Sequence, residues 1–121
     1  MSNLLDPDPE FHDLSIDDLR STLSRSNESV LRRGRAMMEL GRRASSDPAL
    51  IQEVSVLIRA PENRRLITVG TTSVSHLGTA GLVAGGSENA IGLAAKLVAE
   101  WPRDEQSDFA WLMRSEGVTW P

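Results

Sequence analysis

The sequence predicts an all-α fold of six or seven short helices, and three observations carry that reading. Apolar residues recur at helical spacing along most of the chain. Ser, Asp-Pro and Gly punctuate those runs about one short helix apart. Near the middle, Leu66 to Ser87 reads LITVGTTSVSHLGTAGLVAGGS, the longest run free of Asp, Glu, Lys and Arg. Charged sequence on both sides makes that run the expected inner wall of the fold.

Residues 1–14 hold Asp6, Asp8, Glu10 and Asp13, with Leu4, Leu5, Phe11 and Leu14 to bury. They read as an acidic, poorly ordered arm. Ser15 is an expected N-cap, with Asp17 and Asp18 in the first turn of a helix near 16–25 carrying Ile16, Leu19 and Leu23. Ser26-Asn27 is the next break. A second helix over 28–44 places Val30, Gly34, Met37, Leu40, Gly41 and Ala44 on one face. Arg32, Arg35, Glu39, Arg42 and Arg43 fall opposite. Asp47-Pro48 then signals a cap and a helix start, giving a third helix over 48–59.

Ala60 to Asn63 punctuates again, and a helix is expected over 63–71, against the strand propensity of Leu66, Ile67 and Val69. Val74 to Ala84 is apolar nearly all round, which predicts a buried helix. Its glycines permit close backbone approach. Ser87 caps a helix over 88–100, and Pro102 forces a turn. The last helix spans 103–116, buries Phe109, Leu112 and Met113, and stops at Gly117. The domain is thus 15–117, with 118–121 as a short tail.

The 121 residues suit one domain that buries roughly two thirds of its unfolded surface. A net charge of -4 gives no global pull toward nucleic acid or an anionic membrane. Without cysteine there are no disulfides or thiolate metal sites, which fits a reducing cytoplasm. The acidic start MSNLLDPDPE is unlike a signal peptide, so a cytoplasmic location is expected. The central run is too polar and too rich in glycine to read as a membrane span.

Val30-x3-Gly34-x-Ala36-x4-Gly41 recurs as Val74-x3-Gly78-x-Ala80-x4-Gly85, at an offset of 44. Leu19 to Ala44, LRSTLSRSNESVLRRGRAMMELGRRA, shows Leu-x3-Leu, a polar turn, then Val-x5-Ala-x3-Leu. On these residues the chain resembles the HEAT and armadillo repeat superfamily over about 15–101, whose periods are of that length. The second unit lacks the usual arginine of its inner helix. The resemblance implies an irregular stacked-helix array; the residues alone also allow a compact helical bundle. It further implies a curved surface offered to a protein partner.

Arginine is the conspicuous chemistry. Seven arginines between Arg20 and Arg43 face two glutamates, a local balance of +5, while residues 1–18 carry six acidic groups. Either the acidic arm folds back on the arginine face or each block meets a partner. The candidate partner-binding residues are Arg32, Arg35, Arg42 and Arg43, with Trp111 and Trp120 as aromatic anchors. His12 and His76 are far apart in sequence, and no Ser-His-Asp spacing can be assembled. No cofactor or metal site is expected. The glycines after LITVG lack dinucleotide-loop spacing.

The function expected is a non-catalytic protein-interaction module, an adaptor or toxin-neutralising binder with an acidic partner. The alternative is a nucleic-acid-binding regulator using the arginine face of 28–44. Self-association through the last helix is a further option.

Overall fold

The structure, a computed structural model, describes residues 5–25 and 27–120. These residues form an all-α fold of eight helices and one two-stranded hairpin. In order they are α1 Pro9–His12, α2 Ile16–Ser24, α3 Val30–Ala44, α4 Pro48–Arg59 and α5 Pro61–Arg65. The hairpin follows as β1 Ile67–Val69 and β2 Thr72–Ser73, then α6 Val74–Gly85, α7 Glu88–Ala99 and α8 Arg103–Ser115.

The helix starts are written in local chemistry. Ser15, Ser29, Asp47, Ser73 and Ser87 each accept a hydrogen bond from a backbone N–H in the first turn of the helix that follows. Pro48 occupies the first turn of α4. At the end of α6, Gly86 turns left-handed (φ +83°), a conformation that costs glycine least. Ser29, not Ser26-Asn27, starts α3, so Glu28 stays outside the helix; Ser26 itself lies outside the described residues.

α3 and α6 pack side by side at the centre of the fold. Three pairings fix their register: Gly34 faces Leu77, Met38 faces Gly81, and Ser45 faces Gly85. Both helices therefore run the same way, with the facing residues 40 to 43 positions apart, short of the repeat offset of 44. A Cβ on Gly81 would overlap the Met38 carbonyl oxygen, and one on Gly41 the Gly78 carbonyl oxygen. Two backbones come this close only where at least one of the facing residues has no side chain. α6 is buried from Val74 to Val83, as its apolar sequence requires.

Two expectations need correction. The helix expected over 63–71 is instead α5 plus the hairpin. Pro61 starts the helix early, and β-branched Ile67, Thr68 and Val69 favour the extended form. Gly70 makes the turn at φ +57°, and Thr68 Oγ1 donates to the Thr72 carbonyl at 2.8 Å.

The arm is also packed rather than loose over residues 5–14. Leu5 and Phe11 join the core, at 9% and 1% exposure. Phe11 contributes about 1.5–3 kcal/mol of burial toward the cost of ordering the segment, and the ion pairs of Asp8 and Glu10 with α3 hold it there as well. Leu5 N–H donates to Glu116 Oε1 at 3.0 Å, and Asp8 caps α1. Leu4 and the residues before it lie outside the described residues.

The charged side of α3 is largely covered. Arg33 and Glu39 are buried, and α3 is covered by α1, α2, α4 and α6. In the tail, Val118 and Trp120 pack against the core, with Trp120 edge-on to Phe109 at 5.1 Å; Pro121 lies outside the described residues.

Candidate functional site

The arginines of 20–43 are consumed internally. Arg20 makes a bidentate pair with Glu53, both bonds 2.7 Å, and Arg25 lies 3.8 Å from Glu28. Arg32 donates to Glu28 at 2.9 Å and to Glu10, with its guanidinium over the Phe11 ring. Arg33 reaches Glu62 and the Arg25 carbonyl. Arg35 donates to Asp8 at 3.1 Å.

Arg42 and Arg43 both address Glu39, at 3.5 and 3.0 Å, and Arg43 also donates to the His12 carbonyl at 2.8 Å. Burial pushes the Arg42 pKa down, and Glu39 opposes that shift. The candidates Arg32, Arg35, Arg42 and Arg43 thus bind this chain's own carboxylates. The arm supplies two of those partners, Asp8 and Glu10, and α3 itself supplies Glu39.

His76 is the other chemistry-bearing group, at 2% exposure. Its Nδ1 accepts the Ser73 backbone N–H at 3.1 Å, which leaves Nε2 as the protonated nitrogen. Nε2–H then donates to Glu105 Oε1 at 3.1 Å, while Glu105 Oε2 takes Arg64. Trp101 and Phe109 close over the ring. Ser73 Oγ accepts from the His76 backbone N–H, and Ser75 Oγ donates to the Ile58 carbonyl at 2.7 Å. Burial holds His76 below its ordinary pKa, with Glu105 pulling the other way. With both ring nitrogens engaged and both hydroxyls directed elsewhere, this arrangement joins α6 to α8 and presents no general base to solvent.

What stays open lies on α7 and α8. Among the described residues, the cations without an ion pair are Arg65, Lys96, Arg103 and Arg114. Three of the four are on these two helices. Between the helices runs an open groove of about 660 Å³. From α7 it takes Ala95, Val98 and Ala99; from α8 it takes Arg103, Gln106, Ser107, Ala110 and Arg114; Trp120 closes one side. Arg103, Ser107, Ala110 and Arg114 recur at four, three and four residues, which aligns them along one helix face. Trp111, one turn from Arg114, is 66% exposed.

Of the sequence-named anchors, Trp111 is therefore free, and Trp120 is half-buried as a groove wall. Sequence reasoning missed Arg103 and Arg114, although their spacing on one helix face was readable. The denser arginine cluster drew attention because its carboxylate partners are remote in sequence.

Among the described residues, no three potential metal ligands gather, and no helix is long and apolar enough to cross a membrane. The chain matches no family model, no curated protein sequence and no solved structure.

Proposed function

We propose that this protein is a non-catalytic protein-interaction module, of adaptor or toxin-neutralising type, that works in the cytoplasm and binds through the α7–α8 face. One observation carries the reading: the unpaired Lys96, Arg103 and Arg114, the exposed Trp111 and an open groove all belong to two adjacent helices. Tryptophan and arginine are the residue types enriched at binding hot spots, and a partner is what would desolvate them. The partner expected is acidic.

The HEAT-like reading is kept as part of this proposal. The parallel packing of α3 and α6, the two helices that carry the sequence repeat, supports it. In such an array each helical pair buries one face on its neighbour and leaves another for recognition.

The experiment is a tagged pull-down from host lysate at two salt concentrations, with and without nuclease, comparing the native chain with Trp111→Ala and Arg114→Glu. A stoichiometric protein that survives nuclease and is lost with either substitution supports the module. Nucleic acid retained at low salt and released as salt rises would replace it with the regulator reading. A protein retained equally by all three chains would move the interface off this face.

A further inference from the structure

The groove between α7 and α8 has a chemistry specific enough to name what it would receive. We propose that it receives an acidic amphipathic helix of a protein partner, with one carboxylate on Arg103 and a second, about three turns further on, on Arg114. This rests on the interaction-module reading and gives its partner a chemical identity.

Three features of the site carry the inference. The first is charge. Arg103 and Arg114 stand at opposite ends of the groove with no ion pair among the described residues, while every arginine from 20 to 43 has one. Arginine takes a carboxylate in a two-point fork, so each end of the groove favours an acidic side chain.

The second feature is position. Arg103 is the first residue of α8, the end at which the helix dipole disfavours a cation. Its neighbours Asp104 and Glu105 obey that rule and Arg103 breaks it. A departure from local preference with no internal partner to compensate is what a binding residue leaves behind.

The third is the floor. Ala95, Val98, Ala99 and Ala110 are small and apolar between the two charged ends. Side chains of that size admit a helix at the 8–10 Å axial separation of ordinary helix packing. Eleven residues at 1.5 Å each put Arg103 and Arg114 about 16 Å apart along α8. A helix lying along the groove matches that span when its own acidic residues are eleven apart, with apolar residues at the intervening turns.

A second copy of this chain does not supply that pattern. Its two acidic pairs of that spacing on or beside one helix are Glu28 with Glu39 and Glu105 with Glu116. All four already bind internally, to Arg32, to Arg42 and Arg43, to Arg64 and His76, and to the Leu5 N–H respectively.

The test uses the full chain and a fluorescein-labelled, hydrocarbon-stapled peptide with Glu at two positions eleven apart and Leu and Ala between them. A control peptide carries the same composition with the two Glu residues five apart. Fluorescence anisotropy should show saturable binding of the first and weaker binding of the second. Arg103→Glu or Arg114→Glu should weaken the first by about tenfold. A peptide with Lys in place of the facing Glu should recover binding to the matching variant. Both substituted residues are exposed, and unchanged thermal melting confirms that each variant is folded.

Equal binding of both peptides, or no loss in the variants, overturns the two-point helix. So does preferential, arginine-dependent binding of a single-stranded oligonucleotide run alongside, or a concentration-dependent dimer in sedimentation that Arg114→Glu abolishes. If no peptide binds but a lysate protein is retained and lost with Trp111→Ala, this inference falls and the interaction module stands. If neither binds, both fall.

Discussion

His76 Nε2 lies 3.1 Å from Glu105 Oε1, and this one bond ties the central buried helix α6 to α8, which carries the groove. Burial lowers the His76 pKa from 6.5, so the folded chain binds fewer protons here than the unfolded chain. The stability that neutral His76 contributes is complete above its unfolded pKa and is lost as pH falls from there toward the folded value. Urea midpoints measured between about pH 7 and pH 5 should therefore decline, with a slope of at most about 1.4 kcal/mol per pH unit from this group. His76→Gln should flatten that decline. An unchanged slope in the variant would assign the titration elsewhere.

The closeness of α3 and α6 makes opposite predictions for two glycines. Gly81→Ala places a methyl group on the Met38 backbone, which cannot rotate away as a side chain would. Overpacking of this kind costs about 1–3 kcal/mol, more than the helix propensity that alanine returns. Gly92 is in the middle of α7 with open space around it, so Gly92→Ala should stabilise by about 0.5–1 kcal/mol. Urea unfolding of the two variants in parallel decides the matter. Equal effects would mean that the central helices are not in backbone contact.

The N-terminal arm should behave as part of the body. Phe11→Ala removes a ring at 1% exposure and should cost about 3–5 kcal/mol, the range for a buried aromatic. A cost below about 0.5 kcal/mol, the range of an ordinary surface position, would return the arm to the loose state that its composition suggests.

Glu39 gives a separate reading of the arginine network. Its side chain is 3% exposed and faces Arg42 and Arg43, so Glu39→Ala leaves two partly buried cations without their common partner. A loss of about 3–5 kcal/mol is expected, as for breaking a buried pair from one side. If Glu39→Ala unfolds at the same urea concentration as the native chain, the pair is not a structural element.

Trp111 should separate binding from stability. At 66% exposure it packs little, and Trp111→Ala should change unfolding by no more than about 0.5 kcal/mol. Partner retention in the pull-down should nevertheless drop. A large loss of stability would show that the ring supports α8 and leave the proposed face without its aromatic anchor.

Much of the fold was legible because it is written locally. The caps at Ser15, Asp47 and Ser87, the Pro48 start and the Gly86 stop act within one turn, so the sequence displays both partners of each interaction. The hairpin at 67–73 was not legible in that way. Strand propensity was visible at Ile67 and Val69, but helical patterns on both sides weighed against it. What decides it is the short reach of α5 and the Thr68–Thr72 hydrogen bond.

The candidate site divides along the same line. By itself the sequence determined an all-α chain, where most of its helices begin and end, and that the helix from Val74 to Ala84 would be buried, as it is as far as Val83, since periodicity and composition are properties of neighbouring residues. It could not say which arginines are spent. Arg35 meets Asp8 from 27 positions away, and Arg64 meets Glu105 from 41. Only the tertiary structure brings those charges together, and charge pairing acts through space with no regard to sequence distance. That pairing cancels the conspicuous arginine cluster and leaves the inconspicuous pair, Arg103 and Arg114, facing an open groove.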